Sequence, residues 1–158
     1  MTLPVYVCAI DPGLTGAVSF YTLDEPQTVI VADMPVADGF VDPHALQARV
    51  RQIGPAFAVI EQQGPRPTDG CKQSFSIGAS YATARAVLAL CGVPFHVVTA
   101  SAWKKHHRIL GVADPKEAGR GLALRLFPAS ADRFARKLDH NRSDAALLAR
   151  FAAETIKP

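Results

Sequence analysis

The stretch Ala9-Ile10-Asp11-Pro12-Gly13-Leu14-Thr15-Gly16-Ala17-Val18 decides how the chain is read. Ahead of it, Val5 to Ile10 is a run of strand-forming residues that delivers one carboxylate, Asp11. The chain then turns through Pro12-Gly13 and Gly16, and a second strand-like run follows to Tyr21. Proline pre-sets a turn and glycine permits positive φ, so the pattern is a tight hairpin. An acid ending a buried strand is costly unless something pairs with it. A metal ion suits that place, with Gly13 and Gly16 leaving room beside the carboxylate. The rest of the chain is then expected to supply further ligands and a nucleic-acid surface.

Outward from this hairpin, residues 5–10, 16–22 and 28–33 read as three consecutive antiparallel strands. A Pro/Gly/Asp-rich linker, Pro35 to Pro43, comes next. Asp42 caps a helix with Pro43 at its first position, and His44 to Ile53 continues it until Gly54-Pro55. Phe57 to Ile60 is a short apolar strand ending in Glu61. Residues 62–74 are polar and rich in Gly and Pro, a long loop of the kind that carries function. Phe75 to Leu90 is helical, and Pro94 to Val98 is a fifth strand. Thr99 caps a basic stretch that includes Trp103, Lys104, Lys105 and Arg108. Asp114-Pro115 starts another helix, running to about Phe127. Pro128 to Lys137 is a basic connector, and the last helix runs from near Asp139 to about Thr155. The order predicts an α/β fold in one domain, 1–158, with a mixed five-stranded sheet and helices packed on it.

The composition fits a folded chain: 158 residues, 49% hydrophobic and 20% charged. No apolar run approaches the roughly 18 residues of a membrane span. The first residues lack the basic start of a signal peptide, and Cys8, Cys71 and Cys91 lack CxxC spacing. A cytoplasmic protein with free thiols, and no membrane partner, is expected. Net charge is +3, unevenly placed. Residues 1–61 hold two basic side chains against seven acidic ones, and residues 62–158 hold fifteen against seven. Such asymmetry suggests a polyanionic partner, with acids gathered where cations sit.

Three acids stand in comparable settings. Asp11 ends the first strand and Glu61 the fourth. Asp144 opens an apolar helix, four residues after His140, and positions i and i+4 share a helix face. If the first and fourth strands are neighbours, Asp11 and Glu61 lie side by side. Clustered carboxylates repel unless cations occupy the site. Hard oxygen ligands select Mg²⁺ or Mn²⁺, and two such ions can align a water and stabilise a leaving oxygen. Singly, each residue has a plainer use: Asp11 as a turn residue, Glu61 and His140 as surface groups, Asp144 as a helix cap.

Ile10-Asp11-Pro12-Gly13-Leu14-Thr15-Gly16, Val59-Ile60-Glu61-Gln62, Trp103-Lys104-Lys105 with Lys116, and His140-Asn141-Arg142-Ser143-Asp144-Ala145 occur in that order. In this the chain resembles, over nearly its whole length, the RuvC-type Holliday-junction resolvases of the RNase H-like (retroviral-integrase-like) superfamily. The resemblance implies a homodimeric, structure-selective endodeoxyribonuclease that resolves four-way DNA junctions by paired symmetric nicks. It implies two Mg²⁺ ions per site, with Mn²⁺ able to substitute, held by Asp11, Glu61 and Asp144, with His140 as candidate fourth ligand. Lys104 and Lys116 match lysines beside the active site. Gln62, Arg66, Lys72, Phe75, Lys105, Arg108, Arg120 and Arg142 are the expected DNA contacts.

Many family members end with two acids three residues apart. Here Asn141 stands three before Asp144, so His140, Asp139 and Asn141 all remain candidates to complete the site. Gly64-Pro65-Arg66-Pro67 replaces the usual bulky wedge. These departures suggest a phage or mobile-element variant. The alternatives are an RNase H-like nuclease for another branched DNA or a structured RNA, and a catalytically silent DNA-binding module of the same fold. A sugar-kinase-type nucleotide site needs two domains and a longer chain, so no nucleotide cofactor is expected.

Overall fold

Side chains on the first strand alternate between two buried faces, and that alternation builds the molecule. In the computed structural model, which describes residues 3–157, β1 (Val7–Asp11), β2 (Ala17–Tyr21) and β3 (Ile30–Asp33) form the expected antiparallel meander. A small hairpin follows, β4 (Val36–Ala37) and β5 (Phe40–Val41). Then come α1 (Pro43–Ile53), β6 (Phe57–Glu61), α2 (Cys71–Leu90), β7 (Phe95–Val98) and α3 (Ala100–His106). The chain ends with α4 (Pro115–Leu126), two 3₁₀ turns (Pro128–Phe134 and Lys137–Asp139) and α5 (His140–Thr155). The main sheet has the order β3-β2-β1-β6-β7, with β1–β6 and β6–β7 parallel. It is the mixed five-stranded α/β sheet that the sequence predicts.

Both faces of this sheet are covered. Val7, Ala9, Tyr21, Phe57 and Val59 pack with Trp103, Phe127, Phe134 and the Ala145–Ala149 stretch of α5. Cys8, Ile10, Phe20, Ala58 and Ile60 pack on the opposite face with α1 and α2 through Leu46, Val50, Ala84 and Leu88. Successive strand residues point to opposite faces. Asp11 continues the series 7, 9 and Glu61 continues 57, 59, so both acids leave the sheet on the α5 side. Ile10 pairs with Ile60, which sets the two acids beside each other where the parallel strands end. Ser19 in β2 donates its hydroxyl to the Ala145 carbonyl at 2.7 Å and pins α5 across the sheet.

The helix ends follow from capping chemistry. Asp42 accepts from the amides of His44 and Ala45, Asp114 from Glu117, and Thr99 from Ala102. Gly54 closes α1 in the left-handed conformation at φ 64°.

Three expectations are corrected. The Pro35–Pro43 linker contains the β4–β5 hairpin, turned by Asp38 and Gly39 at φ 52° and 79°, the pair of positive angles a two-residue hairpin needs. The 62–74 loop stops at 70, because α2 starts at Cys71 and takes Lys72 onto its first turn. The 128–137 connector is largely wound into the two 3₁₀ turns.

The turn after β1 gives Gly16 a sharper constraint than space beside the carboxylate. A Cβ at Gly16 would stand 2.0 Å from the backbone carbonyl oxygen of Asp11, an impossible approach. The Gly16 amide also donates to the Gly13 carbonyl at 3.1 Å. The substitution Gly16→Ala must therefore open the hairpin. It is expected to lower Tm in thermal unfolding by about 5 °C or more, through a strain of roughly 1–3 kcal/mol. An unchanged Tm would show that the turn relaxes freely.

Candidate active site

Five side chains converge at the open ends of β1 and β6. Asp11 and Glu61 come from the strand ends, and Asp144 comes from the second turn of α5, which lies across them. Lys104 lies on α3, directly after β7, and Lys116 on the first turn of α4. Four of the five are placed by a local signal: a strand end for Asp11 and Glu61, the Thr99 cap for Lys104, and the Asp114 cap followed by Pro115 for Lys116. Gly119 brings α4 against α5 here. A Cβ on it would lie 3.3 Å from the Asp144 carboxylate, so a bare backbone at 119 leaves that oxygen its room.

The acids feel one another strongly. Burial, reinforced by the Glu61 and then the Asp144 charge, holds the Asp11 carboxyl well above the ordinary carboxylate range, with Lys104 pulling partly back. Burial likewise pushes Asp144 up to about 7, where Lys104 and Lys116 oppose the rise and Glu61 adds to it. No hydrogen bond from the described residues supports either carboxylate. Two acids without donors, raised by burial and by a third, are deficient in positive charge. That donor set, all oxygen, fits a hard divalent cation. Among the described residues no group of three or more His, Cys, Asp or Glu side chains is gathered closely enough to hold a metal ion in this conformation.

Glu61 is held differently, and this the sequence does not announce. The indole N–H of Trp103 donates to its Oε2 at 2.7 Å, and the Gln63 side-chain amide donates to its Oε1 at 3.1 Å. Trp103 is fully buried, and the Lys104 ammonium lies 5.2 Å from its ring centroid.

Three residues are candidates to complete the set: His140, Asn141 and Asp139. His140 opens α5 with Nδ1 3.2 Å from the Lys137 carbonyl. It shares a hollow with Asp114, Lys116 and Leu138, and it is not among the groups that shift Asp11 or Asp144. Asn141 donates its amide to the Thr15 carbonyl, tying α5 to the β1–β2 turn. Asp139 is buried and bound by Arg136 through guanidinium contacts of 2.8 and 3.2 Å and a backbone amide at 2.9 Å. Burial works against its charge, yet the Arg136 contacts bring its carboxyl below the usual range. Asp139 is thus a structural partner of Arg136.

The expected DNA contacts divide in two. Gln62, Arg66, Lys72, Lys105 and Arg108 are exposed, and Phe75 is 68% exposed on α2, edge-to-face with Phe40 at 6.5 Å between centroids. Arg120 and Arg142 already have partners within the chain. Arg120 binds Glu117 at 2.6 Å and the Phe134 carbonyl at 3.0 Å. Arg142 grips Asp33 with two bonds of 2.7 and 2.8 Å, which locks the start of α5 to the end of β3. Both guanidiniums are partly exposed and engaged in ion pairs at the protein surface.

No protein-family model matches the sequence, and no curated protein matches it. Among solved structures it is similar to RuvC of Thermus thermophilus in two forms. One is a complex with a Holliday junction substrate: 17% identity, 96% of each chain covered, TM-score 0.56. The other is a structure of RuvC from the same organism: 18% identity, 95% of this chain and 96% of that one covered, TM-score 0.59. The fold is therefore RuvC-type and RNase H-like, over nearly the full chain.

Proposed function

We propose that this protein is a structure-selective endonuclease that cuts four-way DNA junctions by paired symmetric nicks, as a homodimer, with residues 1–158 forming one nuclease domain. The observation that carries the reading is the meeting of Asp11, Glu61 and Asp144 at the ends of two parallel strands, with Lys104 and Lys116 beside them. The RuvC-type fold, and the junction held by one of its structural neighbours, support the choice of substrate.

In this reading Asp11, Glu61 and Asp144 would together hold the divalent cations. Bound there, the ions supply an activated water and stabilise the leaving 3′-oxygen. The protein's own groups do the rest. Lys104 and Lys116 attract the scissile phosphodiester and its neighbour as point charges. Trp103 and Gln63 keep the Glu61 oxygens in place. Ser19, Asn141 and Arg142 hold α5 so that Asp144 faces the strand ends. His140, four residues before Asp144 and in a hollow with Lys116, is the candidate fourth ligand. The exposed Arg66, Lys72, Lys105 and Arg108 contribute phosphate contacts, whose binding weakens with salt.

The test compares Mg²⁺-dependent cleavage of four-way, three-way, flap and linear substrates, with both strands of each arm pair mapped. Paired nicks at symmetric positions on the four-way junction, and little cutting of linear duplex, are expected. Equal cutting of all four substrates would overturn the junction assignment. Binding without cutting in Mg²⁺ or Mn²⁺ would overturn the nuclease reading itself.

A further inference from the structure

Trp103 occupies a place that the chemistry of nicking does not by itself demand. It is the single tryptophan in the chain, it is fully buried, and its one polar atom is spent on the Glu61 carboxylate at 2.7 Å. An indole has a positive N–H edge and a negative face. Trp103 uses both. The edge meets Glu61 and the face meets the Lys104 ammonium at 5.2 Å from the ring centroid. The ring therefore stands between an acid and a cation of the same site and is oriented by each.

Chain geometry makes this bridge rigid. Glu61 pairs in register with Val98, the last residue of β7. Thr99 then caps α3, of which Trp103 is the fourth residue. Trp103 is fixed from below by the sheet core it joins. Glu61 also accepts from Gln63, so each of its oxygens has a neutral donor while Asp11 and Asp144 have none. One acid of the three is thus fixed in direction by the protein, and the other two are free to settle around a cation.

We propose that Trp103 is a positioning residue that aims the Glu61 carboxylate for a divalent cation, and that its indole consequently senses what Glu61 binds. The proposal rests on the metal-site reading above and adds to it the direction of one ligand. A buried indole N–H needs an acceptor, and here that acceptor is a carboxylate of the site. Ligand-orienting hydrogen bonds of this kind are worth about 10–100-fold in metal affinity or activity.

The experiment follows Mg²⁺ binding to the full-length protein by calorimetry and by tryptophan emission. In the parent protein, emission should change saturably with Mg²⁺, with the midpoint that calorimetry gives. In Glu61→Gln, which keeps the buried indole, the saturable change should disappear. Trp103→Phe keeps the ring face and most of the volume but removes the N–H. It should bind Mg²⁺ about ten- to a hundred-fold more weakly, and the Mg²⁺ needed for half-maximal junction cleavage should rise by the same factor. A purely structural tryptophan would lower Tm on replacement and leave that midpoint unmoved, and this result would overturn the proposal. Should Trp103→Phe fail to fold, the parent's emission still decides: a calorimetric Mg²⁺ isotherm with unchanged emission overturns it. A parent that binds no Mg²⁺ at all overturns the metal site first and the proposal with it.

Discussion

Asp11→Asn is expected to abolish Mg²⁺-dependent junction cleavage, by at least about a thousand-fold, or about 4 kcal/mol of barrier, while junction binding stays near the parental level. The Asp11 carboxyl carries the raised affinity for protons that burial, and then the Glu61 and Asp144 charges, impose. Asparagine keeps the size and the strand geometry and removes the charge. The groups proposed to hold phosphate, Lys104 and Lys116 among them, are untouched, so binding and cutting should separate. Cleavage assays in Mg²⁺ alongside gel-shift titrations with the same four-way junction measure the two. Retained cleavage would remove Asp11 from the site, and joint loss of binding and cleavage would make it a structural residue. With the acid repulsion relieved, the variant without metal should also be no less stable than the parent at pH 8.

Much of this arrangement was legible in the sequence because it rests on local rules. The period of two along Val7–Asp11 and Phe57–Glu61 decides which face the acids take, and capping by Asp42 and Asp114 decides where helices begin. Other features were present as signals that composition obscured. Asp38-Gly39 between Val36-Ala37 and Phe40-Val41 is hairpin chemistry inside what reads as a Pro/Gly linker. The start of α2 carries no signal at all: Gly70 offers no side-chain cap, and Cys71-Lys72-Gln73-Ser74 shows no apolar face. Contacts made by tertiary approach lie beyond any local rule. Arg142 meets Asp33 across 109 positions and Trp103 meets Glu61 across 42. A sequence shows that a guanidinium is charged, and only the fold shows that it is already paired. For that reason the later half holds fewer unpaired cations than its composition suggests: Arg142 pairs with Asp33 of the earlier half, and Arg120 with Glu117 and the Phe134 carbonyl.

The stability of the metal-free protein should fall as pH rises from about 4 to about 7, and Asp144→Asn should remove part of that fall. Burial pushes the Asp144 carboxyl up to about 7 in the folded chain, against an ordinary value of 3.8 when unfolded. Between those values the folded protein keeps a proton that the unfolded chain has lost, so each step up in pH favours unfolding. The penalty is absent below about 4, complete above about 7, and constant beyond. Three pH units correspond to about 4 kcal/mol at the limit, and solvent reaching the partly buried carboxylate reduces this to about 1–2 kcal/mol. In a chain of this length that is a Tm difference of several degrees, at roughly 2–4 °C per kcal/mol. Thermal unfolding at pH 5 and pH 8 should therefore show Asp144→Asn ahead of the parent chiefly at pH 8. Mg²⁺ should reverse the order there. A cation that binds only the folded parent adds about 2.7 kcal/mol at a hundred times its Kd, and the variant has lost one of its ligands. At pH 5 protons compete for the same carboxylates and the Mg²⁺ gain should shrink. A Tm gain from Asp144→Asn that is equal at both pH values and insensitive to Mg²⁺ would mean that Asp144 is an ordinary buried polar residue, and the charge-deficient site would lose its third acid.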